Sequence, residues 1–307
     1  MREVLKTNNP VLLNYAQVLL ADAGIEAVVF DTHASVVDGS LGILPRRVMV
    51  ADAQQARAEA ILRDGLKTVP DGDRFLGGRI TIRQPEQGFR SGLDAVMLAA
   101  AVPARDGDTT LELGAGVGVA SLCLAARVEG CAVTGVEIDA ALTERATANA
   151  FANDLVATFV TADVFALPAE LRRDFTHVFC NPPFHGADGE TSPDAARARA
   201  LQDDGKLADW LTTGLKRTIS NGTFTAILRA DRLAEALAAL PDRGVTLFPL
   251  WARAGEPAKR VILRVAKDSR APLAMLPGLV LHESNGDYTD AADDVLREGG
   301  ALLPPSP

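Results

Sequence analysis

The chain has 307 residues, a net charge of −9 at pH 7 and 48% hydrophobic residues, but only 5% aromatic residues. This length suits two domains, and aliphatic side chains must fill most of the core. No apolar run reaches the roughly 18 residues that span a bilayer, and the N-terminus lacks a secretory apolar stretch, so we expect a cytoplasmic protein without membrane contact. The acidic balance argues against a large nucleic-acid footprint.

Cysteine and histidine spacing argues against a metal site. Cys123, Cys131 and Cys180 form no CxxC pair, and the four histidines are scattered. We expect buried free thiols in a reducing compartment and no bound metal. The charge is uneven, because residues 74–105 hold five arginines and two carboxylates. Such a patch could hold phosphates, although charge alone favours an ordinary solvated surface.

The first 68 residues predict a small accessory α/β unit. Residues 69–78 contain one proline, three glycines and two aspartates, which is typical of a linker. The apolar spacing predicts the following elements: strands 3–6, 25–30 and 47–50, and helices 9–23 and 52–66.

Residues 79–298 predict a second, larger domain in which strands and helices alternate. Alternation of this kind implies a parallel sheet with helices on both faces. Strands 246–251 and 260–265 follow one another without a helix, which suggests an antiparallel hairpin at one edge. Residues 299–307 predict a disordered tail. The alternating elements are strands 110–113, 132–138, 158–160, 177–180 and 223–229, and helices 119–127, 141–153, 207–218 and 232–240.

A glycine-rich loop joins the first of these strands to its helix. The run from Leu111 to Gly118 reads Leu-Glu-Leu-Gly-Ala-Gly-Val-Gly. Gly114 and Gly116 let the backbone turn tightly and approach a ligand closely. A GxGxG turn alone is a weak signal, since dinucleotide enzymes use a similar one.

Acidic residues around the loop decide which ligand suits it. Glu112 precedes the first glycine by two positions, where it would repel a pyrophosphate. Glu137 ends the next strand, where an acid can bind ribose hydroxyls, and is favoured over Asp139 for that role. Asp163 follows the strand after that, where it can accept from an adenine amine. These acids suit a cationic ligand with an amino group, a ribose and an adenine, and S-adenosylmethionine is such a ligand.

In these features the chain resembles the class I S-adenosylmethionine-dependent methyltransferases. The resemblance implies a seven-stranded, Rossmann-like sheet with its last strand antiparallel, preceded here by the small α+β domain. It also implies that Glu112 supports the methionine end of the cofactor. The remaining residues implied in cofactor binding are Gly114, Ala115, Gly116, Gly118, Glu137, Ile138, Asp163, Val164 and Asn181.

A second motif, Asn181-Pro182-Pro183-Phe184, follows strand 177–180. The prolines fix the backbone and remove two donors, and Asn181 adds a side-chain carbonyl at the carboxyl edge of the sheet. Two acceptors that hold the hydrogens of a planar amine favour a pyramidal nitrogen, whose lone pair can attack the sulfonium methyl. Phe184 offers a face on which a planar substrate stacks, worth about 1–3 kcal/mol.

The tetrad resembles the motif of enzymes that methylate planar amines. These include adenine, guanine and glutamine-amide methyltransferases, and the tetrad does not choose among them. His185 extends the motif in a way that also resembles some guanine-specific ribosomal RNA enzymes.

The stretch from Gln84 to Leu98 resembles the bacterial methyltransferases that modify adenine beside the anticodon of a valine tRNA. The resemblance covers about residues 75 to 300 and implies that Gln84, Phe89, Arg90 and Asp94 close over the cofactor. It makes tRNA the expected partner and methylation of an adenine amine the expected reaction. Candidate phosphate contacts are Arg90, Arg197, Arg199 and Lys206.

The front unit resembles a small bacterial domain described only as a signal-transducing module. Substrate docking, small-molecule sensing and oligomerisation all stay open for it, as does the oligomeric state of the chain. Three functions therefore compete: a tRNA adenine methyltransferase, an enzyme for ribosomal RNA guanine or protein glutamine, and a regulator that binds the cofactor without transfer.

Overall fold

A computed structural model describes residues 1–7, 10–30, 46–65, 72–86, 90–183 and 207–302. The chain divides into two compact units, Met1–Arg74 and Phe75–Pro307. No helix within the described ranges is long and apolar enough to cross a membrane.

The first unit packs two helices on a three-stranded antiparallel sheet of order β1-β3-β2. Its core is aliphatic, with Ala16, Leu20, Val48 and Val50 completely buried. The helical and strand periodicities therefore predicted this unit correctly. Its elements are β1 (Arg2–Thr7), α1 (Pro10–Asp22), β2 (Ala27–Phe30), β3 (Arg46–Val50) and α2 (Gln55–Gly65).

The second unit is built around one large sheet. Two short strands, β4 (Asp73–Phe75, which begins before the unit boundary) and β5 (Ile80–Ile82), pair with each other apart from this sheet. The strands of the large sheet are β6 (Thr109–Leu113), β7 (Ala132–Glu137), β8 (Ala157–Thr161), β9 (Phe175–Cys180), β10 (Thr218–Arg229), β11 (Val245–Trp251), β12 (Arg260–Ala266), β13 (Ala274–Met275) and β14 (Leu279–Val280). The helices of this unit are α3 (Leu93–Ala101), α4 (Val119–Arg127), α5 (Ala140–Ala152), α6 (Leu207–Arg217), α7 (Leu233–Ala238) and α8 (Asp290–Asp293).

Seven strands form the expected sheet, in the order β8-β7-β6-β9-β10-β12-β11. Strands β6 to β10 are mutually parallel, whereas β12 runs antiparallel to both β10 and β11. The short strands β13 and β14 extend the sheet beyond β11. The predicted fold class, an α/β sheet of this type behind a small α+β unit, is confirmed.

The predicted antiparallel hairpin of β11 and β12 is confirmed and lies at the end of the sheet beyond β10, but its strand order was not predicted. The later strand, β12, inserts between β10 and β11. The burial patterns explain this order, because β12 has five consecutive buried residues, while β11 alternates over its first half. Four of these five residues are aliphatic and the fifth is Arg264, and such a continuously buried run suits an interior strand that is covered on both faces.

Helices cover both faces of the sheet, as predicted. Neighbouring residues of β9 belong to different cores: Phe179 packs with α3 and α4, whereas Val178 and Cys180 pack with α6. The helix α3 was not assigned from the sequence, although its residues 95 to 101 are all buried. A helix that is apolar all round lacks the amphipathic periodicity that reveals a surface helix.

Both ends of the predicted larger domain are more ordered than the sequence suggests. The segment interpreted as a linker contains β4 and a short 3-10 turn whose Leu76 is 2% exposed. Near the other end, the amide of Leu302 donates to the carbonyl of Ala100 at 2.9 Å. The rest of the predicted tail, 303–307, lies outside the described residues.

Asn149 of α5 and Asn153, the residue that caps the end of this helix, hold the strand β5 and the residue after it. Asn149 is 1% exposed; its Oδ1 accepts from the amide of Arg83 at 2.9 Å, and its Nδ2 donates to the carbonyls of Arg83 and Val117, both at 3.1 Å. Asn153 makes the same two-way contact with the backbone of Thr81, at 2.8 Å in each direction. The side-chain amides thereby form hydrogen bonds with the backbone at Thr81 and Arg83, as a neighbouring strand would.

We predict that Asn149→Ala lowers the free energy of unfolding by about 2–4 kcal/mol, since it leaves buried backbone groups without partners. Urea denaturation measures this loss. Glu144→Ala, at an exposed position of the same helix, is the matched control and should change stability by less than about 0.5 kcal/mol. Equal effects of the two substitutions would contradict the proposed anchor.

Candidate functional site

The candidate residues meet at the carboxyl edge of the sheet. Leu113 of β6 pairs in parallel register with Val136 of β7 and with Cys180 of β9. The residues that follow these positions, Gly114 and Asn181 among them, therefore emerge side by side. This is the edge at which open α/β sheets bind ligands.

The glycine loop has the strained backbone expected of it. Gly114, Gly116 and Gly118 have φ angles of 71°, 56° and 86°, in the left-handed region that favours glycine. The amides of Gly114 and Ala115 both donate to the carbonyl of Val136, at 2.8 and 2.9 Å. The turn is thus tied to the neighbouring strand, and Gly118 begins the helix α4.

Glu137 and Asp139 have separate tasks. One carboxylate oxygen of Glu137 accepts from the amide of Gly116 at 2.8 Å, and the other accepts from the amide of Asp139 at 3.0 Å. Asp139 caps α5 by accepting from the amides of Ala141 and Leu142 at 2.8 and 3.3 Å. Because capping occupies Asp139, the geometry favours Glu137 as the acid beside the glycine loop.

Asp163 lies in a turn after β8. Its Oδ1 accepts from the amide of Phe165 at 2.8 Å, and the residue itself is exposed. Val164 between them is buried in the core, whereas Ile138 is 69% exposed and Phe165 is 42% exposed. Two large apolar side chains thus lie in solvent beside the two acids, where a bound ligand could cover them.

Glu112 points into the protein rather than towards solvent. It is 3% exposed, and one carboxylate oxygen accepts from the amide and the hydroxyl of Ser121 in the first turn of α4, at 2.9 and 2.5 Å. Burial raises the pKa of Glu112 to about 8, although the hydrogen bonds from Ser121 act to lower it. Glu112 therefore fastens the helix that follows the glycine loop, and a role toward the methionine end stays a prediction.

The side chain of Asn181 has a hydrogen-bond acceptor that no described donor satisfies. Its Oδ1 is buried and receives no hydrogen bond from the residues that the structure describes. Pro182 is buried and Pro183 is half-buried. A buried amide oxygen left without a partner costs roughly 1–3 kcal/mol, and a donor supplied by a ligand would remove that cost.

The described residues just before α3, 84–86 and 90–92, are called the strap here, and side-chain hydrogen bonds connect them. Gln84 clasps Ser91, accepting from its amide at 2.8 Å and donating to its carbonyl at 3.0 Å. Arg90 donates to the carbonyl of Pro85 at 2.9 Å. Asp94 forms an ion pair with Arg260 of β12 at 2.9 Å. These contacts give the strap its shape, and its closure over a cofactor stays a prediction.

Several predicted residues lie outside the described residues, namely Phe89, Phe184, His185, Arg197, Arg199 and Lys206. The three cysteines are all free and buried, as expected. The described ranges contain no cluster of three or more residues that could hold a metal ion.

Trp210 was not singled out as a site residue, although it lies within residues 75 to 300, which the family resemblance covers. Its ring packs against Gly114, where an added Cβ would lie 2.9 Å from Cη2 of the indole. An aromatic residue in the first turn of an amphipathic helix looks like any core residue in a sequence. Only the tertiary contact with the glycine loop distinguishes it.

Comparison with known proteins agrees with this geometry. The family described as "Methyltransferase small domain" matches residues 92–208, and the family described as "Putative prokaryotic signal transducing protein" matches residues 1–65. The tRNA1(Val) (adenine(37)-N6)-methyltransferase of Dickeya chrysanthemi is 31% identical over 223 residues, covering 68% of this chain and 87% of the relative. The enzyme of the same name from Shewanella baltica is 27% identical over 220 residues, covering 69% and 92%.

The chain belongs to this methyltransferase family. It is an S-adenosylmethionine-dependent N-methyltransferase. A crystal structure described as a predicted O-methyltransferase from Agrobacterium tumefaciens has a TM-score of 0.56 and 28% identity, covering 68% of this chain and 98% of its own.

The carboxyl edge of this methyltransferase suits the cofactor. A Cβ added at Gly116 would meet no atom within 4 Å, so the loop is open there. Two carboxylates, Glu137 and Asp163, lie along the edge, and Asn181 adds a buried acceptor. These acceptor groups are polar or anionic, and they lie beside a backbone that a ligand can approach closely.

The buried carboxyl of Glu112 predicts a pH-dependent stability. The pKa of Glu112 is about 8 in the folded protein, against an ordinary 4.5. The protonated side chain therefore contributes fully to the free energy of unfolding below about pH 4.5, and this contribution is lost as the pH rises to about 8. We expect Glu112→Gln to flatten this fall, which for one proton is at most about 1.4 kcal/mol per pH unit. Urea denaturation at pH 5 and pH 8 measures the slopes.

The lowered pKa of His177 makes stability change with pH in the opposite direction. Because both the wild type and Glu112→Gln contain His177, the difference between their slopes reports Glu112 alone. The exposed Glu144→Gln is the control and should keep the wild-type slope. Identical slopes in wild type and Glu112→Gln would show that this carboxyl does not titrate as described.

The glycine loop predicts unequal costs for two similar substitutions. Gly114→Ala and Gly116→Ala both place alanine at a positive φ, which costs about 1–2 kcal/mol each. Only the alanine at Gly114 also meets the ring of Trp210. We expect Gly114→Ala to destabilise the protein by about 1–3 kcal/mol more in urea denaturation. Equal losses would contradict the packing of Trp210 on the loop.

Proposed function

We propose that this enzyme methylates the exocyclic amine of adenine in a tRNA, with the anticodon-loop adenine of a valine tRNA as the preferred site. The observation that carries the proposal is the buried Oδ1 of Asn181, which accepts no hydrogen bond within the described ranges. It lies beside the glycine loop because Leu113 and Cys180 pair in register. An acceptor in this place suits a substrate that brings an N–H group.

S-adenosylmethionine supplies an electrophilic methyl group bound to a sulfonium. When the methyl group is transferred, the sulfur is left as a neutral thioether. Asn181 accepts one hydrogen of the target amine and so favours the pyramidal nitrogen whose lone pair forms the new bond. Pro182 and Pro183 hold the backbone rigidly, and the carbonyl of Pro182 is the proposed second acceptor. The amine proton leaves to solvent after transfer, so no strong base is needed beforehand.

The cofactor assignments follow from the same edge. We propose that Glu137 accepts hydrogen bonds from the ribose hydroxyls and Asp163 from the adenine amine. The loop of residues 114 to 118 would then line the cofactor site. Glu137 already accepts from the amide of Gly116, so the carboxylate is oriented at the loop. Ile138 and Val164, each next to one of these acids, complete the proposed contacts.

The choice of adenine in tRNA is supported by the relatives whose printed names state that activity. A tRNA substrate also places the enzyme in the cytoplasm. Arg90, Arg197, Arg199 and Lys206 are the proposed phosphate contacts. An affinity that depends on only a few phosphate contacts is compatible with a chain of net charge −9.

Other substrates would give different products. The tetrad suits a guanine amine in ribosomal RNA or a glutamine amide equally well, and the Agrobacterium protein is described as a predicted O-methyltransferase. A regulator that binds the cofactor without transfer is disfavoured by an intact tetrad and glycine loop. Nucleoside analysis separates these alternatives, because each yields a distinct methylated product or none.

The test is labelled methyl transfer from S-adenosylmethionine to unmodified tRNA, followed by mass spectrometry of the nucleosides. We expect N6-methyladenosine from the wild type and at least a hundred-fold lower rate from Asn181→Ala, on the order of 3 kcal/mol of lost transition-state stabilisation. Asn285→Ala is the control, since Asn285 is exposed and forms hydrogen bonds with Asp287 of its own turn. Methylguanosine, a 2′-O-methyl nucleoside or labelled protein would overturn the adenine assignment.

A further inference from the structure

Two aromatic rings lie along the edge that carries the cofactor residues. A Cβ added at Gly114 would lie 2.9 Å from Cη2 and 3.1 Å from Cζ3 of Trp210, so the missing side chain makes room for the indole. The ring of Phe165 meets that indole edge-to-face, with centroids 5.7 Å apart and planes at 82°. The pair is a continuous aromatic surface, called here the aromatic wall.

The aromatic wall joins two parts of the proposed cofactor site. Trp210 touches the loop that follows β6. Phe165 follows β8 and is fixed by its amide, which donates to Asp163. These strands are separated in the sheet by β7, which ends in Glu137. The wall therefore runs past all three carboxyl ends at which the cofactor residues lie.

The wall is only partly buried. Phe165 is 42% exposed and Trp210 is half-buried. A ring that served only to fill the core would be covered on both faces, and large exposed apolar surface on a protein commonly marks a binding site. The wall faces solvent at an edge with two carboxylates and an open glycine loop, which is a surface suited to a nucleoside.

We propose that the aromatic wall is one side of the cofactor site, and that Trp210 contacts the bound cofactor. This inference rests on the proposed role of the glycine loop, but not on the identity of the RNA substrate. Removing the indole should weaken binding of the cofactor or its product, and should reduce the rate with saturating cofactor much less.

The first experiment uses the two tryptophans of the chain as reporters. Trp251 lies on β11, where its Nε1 donates to the carbonyl of Pro277, so it serves as the matched control. In Trp251→Phe, titration with S-adenosylhomocysteine should give a saturable change in indole fluorescence. In Trp210→Phe, which keeps only Trp251, the change should vanish. The reverse pattern would overturn the proposal.

The second experiment measures affinity in the full-length protein by calorimetry with S-adenosylhomocysteine. We expect Trp210→Leu to raise the Kd about ten-fold, in line with the strength of base–aromatic stacking. Trp210→Phe should recover part of this affinity, and Trp251→Leu should leave the Kd unchanged. An unchanged Kd in Trp210→Leu, with the wild-type melting temperature in the absence of ligand, would refute the proposed contact of Trp210 with the cofactor.

The outcomes separate this inference from the proposed function. If Trp210 responds to S-adenosylhomocysteine but the enzyme labels no tRNA, the aromatic wall stands and the substrate assignment falls. If tRNA is labelled and the KM for S-adenosylmethionine is the same in wild type and Trp210→Leu, the wall is only structural. Should Trp210→Leu fail to fold, the fluorescence of Trp251→Phe and the Kd of Trp210→Phe still decide the matter.

Discussion

The site depends on one constraint, the parallel register that aligns the carboxyl ends of β6, β7 and β9. Leu113 pairs with both Val136 and Cys180, so the glycine loop, Glu137 and Asn181 emerge at one edge although they are distant in the chain. A shift of one residue would turn each strand's side chains to the opposite face. The packing of Phe179 and Cys180 into separate cores resists such a shift.

Acidic side chains near the loop have distinct tasks because their surroundings differ. Glu112 is buried, has a raised pKa and ties the loop's helix through Ser121. Asp139 is occupied as a helix cap, whereas Glu137 and Asp163 lie at the edge itself. Carboxylates that look equivalent in a sequence thus divide into structural groups and candidate ligand groups, according to burial and available backbone donors.

Local patterns predicted most of the fold, and they failed where long-range packing decides. The helix α4 has the bounds expected from its apolar spacing, and seven strands form the expected sheet. The insertion of β12 beside β10 was not foreseen, because pairing between strands far apart in the chain leaves no local periodicity. The uniformly apolar helix α3 was missed for the related reason that complete burial removes the polar face.

The sequence by itself determined the chemistry: a glycine loop followed by acids at strand ends, and an Asn-Pro-Pro-Phe tetrad suited to a planar amine. These signals are local, since each depends on residue type and position after a strand. Only the tertiary structure decided which acid is buried and which side chain covers the loop. Burial and ring contacts, such as that of Trp210 on Gly114, arise between segments that approach each other only when the sheet and its helices pack.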